Sequence, residues 1–277
     1  MRIEFNYGTT ITPDQMQPGK LYLDGACQGP AVRMDLPAIS FDHHAGCLRT
    51  FTLATCQQVA LALRLGLDIT RFETIVANDL DADTMVSLWL LSMADRFGPN
   101  LLSSVLADAR VIDLVERVGI VDAHGPIQVA HPLHDALTPG PKVEQSRDLA
   151  LHLIGVLDQW WDEDVVPPSS KGFPPAPWWG VKADGTWIEG AGDFGVAYRA
   201  GVVALVVEVP GKDGTIGYTI GKQSEFVSYD IPAFLGRMNV IEPGWGGGST
   251  IGGAPRNPDW TRSRLPRATV QDAFRQR

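Results

Sequence analysis

Ile39-Ser40-Phe41-Asp42-His43-His44-Ala45-Gly46 is an apolar run that rises into an Asp-His-His triplet and closes on a small-residue turn. Thr52 to Leu65 follow with good helix formers, and Gly66 stands at the C-terminal stop. The stretch therefore reads as a buried strand, a polar loop and a helix. Open α/β sheets gather ligands at the carboxyl ends of such strands. Adjacent residues on an extended chain face opposite sides, so one carboxylate and two imidazoles can serve two ions, or an ion and its substrate. An N-capping Asp with two surface histidines is the plainer alternative.

The same pattern recurs on either side. Lys20 to Asp24 reads as a strand that ends in an aspartate before the turn residue Gly25. Phe72 to Ala77 is strand-like and runs into Asn78-Asp79-Leu80-Asp81-Ala82-Asp83-Thr84, from which a helix, Met85 to Arg96, departs. Three carboxylates so close repel one another unless a cation sits between them, which points to Asp79 and Asp81 as metal ligands. An acidic helix N-terminus explains Asp83 well and Asp79 poorly, because Asp79 ends an apolar strand. Residues 1–100 thus read as successive β-loop-α units around a largely parallel sheet. Leu101 to Val118 carry helical spacing, and Gly119 to Asp122 reads as a further short strand closing on Asp122 and His124. His131 and His134 fall in an expected loop, where they are either ligands or solvated. A helix over Glu144 to Trp161 closes the first half.

Pro167 to Pro177 holds five prolines and is the best linker in the chain. The expected organisation is α/β: a largely parallel-sheet metal-binding domain over 1–165, a Pro-rich linker over 166–180, and a smaller C-terminal α/β domain with a glycine-rich loop over 181–277. Within the last, Val202 to Val209 and Thr215 to Ile220 read as a hairpin about Lys212-Asp213-Gly214. Phe226 to Tyr229 reads as a further strand and Pro232 to Met238 as a helix. Gly244 to Gly253 contains six glycines in ten residues. Backbone without β-carbons can approach an anion closely, so Gly247, Gly248, Ser249, Thr250 and Arg256 are candidate substrate-binding residues; a plain flexible loop is the alternative. Trp178, Trp179, Trp187 and Trp245 fall in linker or loop stretches, as cleft lining or wall packing. The arginine-rich tail over 257–277 reads as a surface extension.

Of the 277 residues, 44% are hydrophobic and 20% charged, a soluble globular composition, and the net charge of −9 argues against duplex nucleic acid as a partner. No apolar run reaches the roughly 18 residues of a membrane span, and MRIEFNYGTT lacks the apolar centre of a signal peptide. Cys27, Cys47 and Cys56 are odd in number and lack CxxC spacing, which points to packing in a reducing cytoplasm.

These motifs resemble the DHH family of phosphoesterases. Asp42-His43-His44 is similar to its signature triplet, and Asp79-Leu80-Asp81-Ala82-Asp83 to its aspartate-rich motif, although here that motif follows the triplet instead of preceding it. Asp24 and Asp122 match its isolated aspartates, and Gly246 to Thr250 its glycine-rich substrate loop, with Ser249 in place of the family's histidine. The resemblance implies a cytoplasmic, two-domain metallohydrolase. Its ligands would be Asp24, Asp42, His43, Asp79, Asp81 and Asp122, around one or two ions of Mn²⁺, or else Mg²⁺ or Fe²⁺. Asp42 and His44 would be catalytic, and the substrate a small phosphorylated anion or short nucleotide. A homodimer is compatible with it. Two further readings stay open: the same ions acting on a non-phosphate substrate, and a non-catalytic anion binder of the same fold.

Overall fold

The computed structural model describes residues 2–33, 35–97, 99–124, 131–139, 144–163, 165, 175–257, 259 and 261–276, the side chains of 99, 100 and 124 excepted. The chain divides into two compact units, residues 1–123 with 128–172, and residues 173–277 with 124–127. The fold is mixed α/β, with one mainly parallel sheet and one separate antiparallel sheet.

In the first unit, β1 (Arg2–Phe5), β2 (Lys20–Leu23), β3 (Ala31–Arg33), β4 (Ala38–Phe41) and β5 (Thr74–Ala77) form a sheet in the order β1-β5-β2-β4-β3. All neighbours are parallel except β3, which runs antiparallel at the edge. All four residues of β5 are buried, as a strand covered on both faces requires. Helices α1 (Thr55–Arg64), α2 (Ala82–Arg96), α3 (Pro99–Ala107), α4 (Ala109–His124), α5 (His134–Leu137) and α6 (Arg147–Glu163) complete the unit. The central helix, α2, is buried on nearly every side from Ala82 to Leu91. Its Trp89 sits within a core shared with α1, α4 and α6 and donates its indole N–H to Asp158 at 2.9 Å.

Two expectations change here. The apolar run Gly119 to Asp122 is no strand: it is the last turn of α4, whose core face carries Val111, Leu114, Val115 and Val118. Periodicity over four residues cannot separate a buried helix end from a strand. The strands β1 and β3 went unread because each is short and carries charged residues.

The second unit is built on an antiparallel sheet in the order β10-β11-β9-β8-β6-β7. Its strands are β6 (Pro177–Lys182), β7 (Trp187–Ala191), β8 (Val202–Pro210), β9 (Ile216–Lys222), β10 (Gly246–Gly247) and β11 (Ile251–Gly253). On one face Trp179, Ala204, Val206 and Ile220 pack under α8 (Ile231–Ile241) and α9 (Arg267–Arg275). On the other, Trp178, Leu205 and Val207 pack with Ala197 and Tyr198 of α7 (Phe194–Arg199). Burial on both faces is why β8 is apolar without alternation.

Residues 166–174 of the expected linker lie outside the described residues, and its end is strand: Trp178 and Trp179 belong to β6, and Trp187 to β7. Phe226 to Tyr229 forms no strand; Lys222 Nζ donates to the carbonyls of Val227 and Tyr229 there. The tail is not a surface extension, since Val270, Ala273 and Phe274 of α9 are core residues. No helix among the described residues is long and apolar enough to cross a membrane.

Candidate metal centre

The parallel strands β2, β4 and β5 end in register, Leu23 opposite Phe41 on one side and Ala77 on the other. The residues that follow, Asp24, Asp42-His43-His44 and Asn78, are therefore delivered to one edge of the sheet. Asp24 adopts a left-handed backbone, φ +48°, followed by Gly25 at φ +76°. A non-glycine residue there carries about 1–3 kcal/mol of strain, tolerated where the surroundings over-determine it. Asp24 is over-determined: the hydroxyl of Thr55 donates to Oδ1 at 3.0 Å and that of Thr84 to Oδ2 at 3.2 Å. Both hydroxyls come from the first turns of α1 and α2.

His43 is wholly buried, and its Nε2 faces three carboxylates: Asp122 Oδ2 at 2.7 Å, Asp24 Oδ1 at 3.4 Å and Asp83 Oδ2 at 3.6 Å. Donor atoms of Asp24, His43, Asp83 and Asp122 all lie within 4.8 Å of one another. Ligand bonds of about 2.1 Å would set opposite donors about 4.2 Å apart, so the group matches the span of a coordination shell. A second set, Asp24, His43 and His44, shares two of these residues. Three carboxylates and one imidazole suit a hard or borderline divalent cation better than a soft one.

Burial pushes the His43 imidazole down, but hydrogen bonds to Asp122 and Asp24, with the charges of Asp122 and Asp83, carry it up to about 10. Burial, then the charges of Asp122 and Asp24, raise Asp83 to about 6. Burial and the same neighbours push Asp81 well up as well. Asp24 is held low against burial by His44 and His43. The protonated imidazole thus occupies the place of a cation among mutually repelling carboxylates.

The structure redistributes the expected ligands. Asp24, His43 and Asp122 belong to the group, but Asp122 arrives from the end of α4 instead of a strand. Asp83, expected to stabilise its own helix, instead accepts the N–H groups of Thr55 and Cys56 at the start of α1, both at 2.8 Å, and turns one face to His43. Asp81 takes the N-cap of α2, accepting the Thr84 N–H at 2.9 Å. Asp79 is outside the group: its carboxylate accepts from the Leu80 N–H and the Gln145 side chain. Asp42 is also outside it. One of its oxygens accepts N–H groups from Gly25 at 2.9 Å and His44 at 3.0 Å, the other from Gly29 at 2.7 Å. Its first oxygen also meets His44 Nδ1 at 2.9 Å. Asp42 is a buried brace for two loops and for His44, whose side chain is 39% exposed at the rim.

Sequence reading missed Thr55, Thr84 and Arg49. The two threonines had a signal, a hydroxyl in the first turn of each helix that follows a strand ending in polar residues. Arg49 had only its position after the triplet. Its Nη2 donates to Asp122 Oδ2 at 3.1 Å and to the Asp122 carbonyl at 3.2 Å.

Other candidates lie elsewhere. His131 accepts the Leu133 N–H and packs edge-on against Trp160; His134 meets Asp135; the side chain of His124 is outside the described residues. The three cysteines are free thiols and none is in either donor set. The expected glycine loop is a hairpin, with Gly246–Gly247 paired to Gly252–Gly253 at the edge of the second sheet. A β-carbon on Gly247 would collide with the Gly252 backbone, and one on Gly252 would lie 2.8 Å from the Leu235 side chain. Close strand and helix approach therefore accounts for the glycines at Gly247 and Gly252. Gly248, Ser249 and Thr250 form the hairpin tip, and Arg256 is exposed beyond it. No protein-family model, curated protein or solved structure matches the chain.

Proposed function

We propose that this chain is a divalent-metal-dependent hydrolase of DHH phosphoesterase type, acting on a small phosphorylated substrate. The observation that carries the reading is the single imidazole nitrogen of His43 facing carboxylates from the end of β2, the start of α2 and the end of α4. The reversed motif order along the chain is immaterial to this convergence, because parallel strands present their ends at one edge whatever their order.

Asp24, His43, Asp83 and Asp122 would hold the ion, with manganese the first choice for an oxygen-rich set with one imidazole. Such an ion activates water and neutralises charge on a phosphoryl oxygen. The chain's own residues do the rest. Thr55 and Thr84 fix the Asp24 carboxylate, and the start of α1 fixes that of Asp83. Asp42 fixes the His44 ring at the rim, where an imidazolium can protonate a leaving oxygen.

Manganese titration with thermal melts tests the reading, followed by assay of bis-p-nitrophenyl phosphate. At free Mn²⁺ of 100 Kd the fold should gain about 2.7 kcal/mol. Asp24→Asn should lose both that gain and the metal-dependent turnover. A wild type that neither binds Mn²⁺, Mg²⁺ or Fe²⁺ nor gains stability from them would end the metal reading. Metal uptake without phosphoester turnover would end the phosphoesterase reading alone.

A further inference from the structure

We infer that Arg49 is the group that receives the anionic part of the substrate, and that the centre therefore works with one divalent ion and one guanidinium instead of two ions. The inference rests on the metal-centre reading above.

Arg49 lies on the loop between β4 and α1, and its Nη2 is 3.1 Å from Asp122 Oδ2 and 3.4 and 3.5 Å from the two ring nitrogens of His43. It thus touches two of the four residues of the donor group. It also has an anchor other than their donor side-chain atoms, because the same nitrogen donates to the Asp122 backbone carbonyl at 3.2 Å. That carbonyl belongs to the last turn of α4, which is open to a cation because C-terminal carbonyls have no intrahelical partner. An ion that took over Asp122 Oδ2 would leave Arg49 this anchor.

A guanidinium keeps its charge at any working pH. Fixed this close to the ligands, it disfavours a second divalent ion and favours an anion beside the first. The two possible donor sets share Asp24 and His43, so two ions would also compete for the same groups. Arg49 has donors to spare: its Nε is buried and has no hydrogen-bond partner among the described residues. A buried donor without an acceptor is rare and costly, and the oxygen of a bound anion is the acceptor this fork is suited to take. The side chain as a whole is 15% exposed.

The test is Mn²⁺ stoichiometry by calorimetry and elemental analysis, then binding of inorganic phosphate to the manganese-loaded protein, for wild type, Arg49→Ala and Arg49→Lys. The wild type should take one Mn²⁺ per chain, and both variants should keep it. Phosphate should bind Arg49→Ala at least about tenfold more weakly, as loss of a charge-assisted hydrogen bond implies. Arg49→Lys, which keeps the charge but not the fork, should fall between the two and carries the test if the alanine variant fails to fold. Two Mn²⁺ per wild-type chain, or phosphate affinity unchanged in the variants, would overturn the inference and leave the metal reading standing. Loss of manganese from Arg49→Lys would make the residue a support for Asp122 and overturn it equally. A wild type with no bound Mn²⁺ would remove both.

Discussion

The Asp/His cluster at the ends of β2 and β4 and the glycine hairpin of β10 and β11 are the two conspicuous residue patterns in this chain, and they came about for opposite reasons. In the first, polar side chains are driven together at a cost: three buried or half-buried carboxylates face one imidazole, and one aspartate holds a left-handed backbone. Packing alone does not call for such a gathering. In the second, unusual composition relieves a steric problem, since strands and a helix approach too closely for side chains. An odd pattern signals chemistry when it opposes stability, and packing when it serves it.

The largest expected contrast is in pH dependence. Metal ligation requires His43 to lose a proton it holds up to about pH 10. The apparent Mn²⁺ affinity should therefore rise roughly tenfold per pH unit between pH 6 and 9. Below about pH 6, where Asp83 is also protonated, the slope should double. The metal-free protein should behave oppositely. With the folded pKa of His43 raised from 6.5 to about 10, its contribution to stability is complete below pH 6.5 and lost as pH rises through 10. Calorimetry across pH, beside melts of the metal-free protein, reads both signs; a flat metal affinity would remove the distinction between the two regions.

A smaller effect separates brace from ligand. Asp42→Asn should place an amide donor against the N–H groups that Asp42 accepts and destabilise the first unit by about 1–3 kcal/mol, while manganese stoichiometry stays unchanged. Loss of metal with an unchanged melting temperature would return Asp42 to the ligands. In the hairpin, Gly247→Ala, at a position with φ +147°, should lower stability by about 1–3 kcal/mol through collision with the Gly252 backbone, without altering metal or phosphate binding. Smallest of all, Ser249→Ala with Thr250→Ala at the tip should shift stability by no more than about 0.5 kcal/mol and leave phosphate affinity as it was. A lost phosphate affinity there would restore the hairpin as a binding element.

Local patterns were enough to place β2, β4, β5, β8 and β9 and the helices α1, α2, α6 and α8 near their observed bounds. Short apolar runs punctuated by Asp-Gly, Pro and Gly carry that information within a few residues. Asp24 was legible for the same reason, being the first polar residue after such a run, and His43 as the middle residue of the triplet that closes another. The choice among the remaining carboxylates was not local. Whether Asp79, Asp81 or Asp83 faces His43 depends on the path of the loop after β5 and on the α1 amides that capture Asp83. Asp42 lost its place among the donors to backbone N–H groups of Gly25 and Gly29, earlier in the chain. Asp122 joined them from a helix, and Arg49 through a carbonyl on that same helix. Chain chemistry decided that acidic and imidazole groups would stand at the ends of parallel strands. Only the packed structure decided which of them meet, because a side chain's direction at a strand end is fixed by hydrogen bonds to segments distant in sequence.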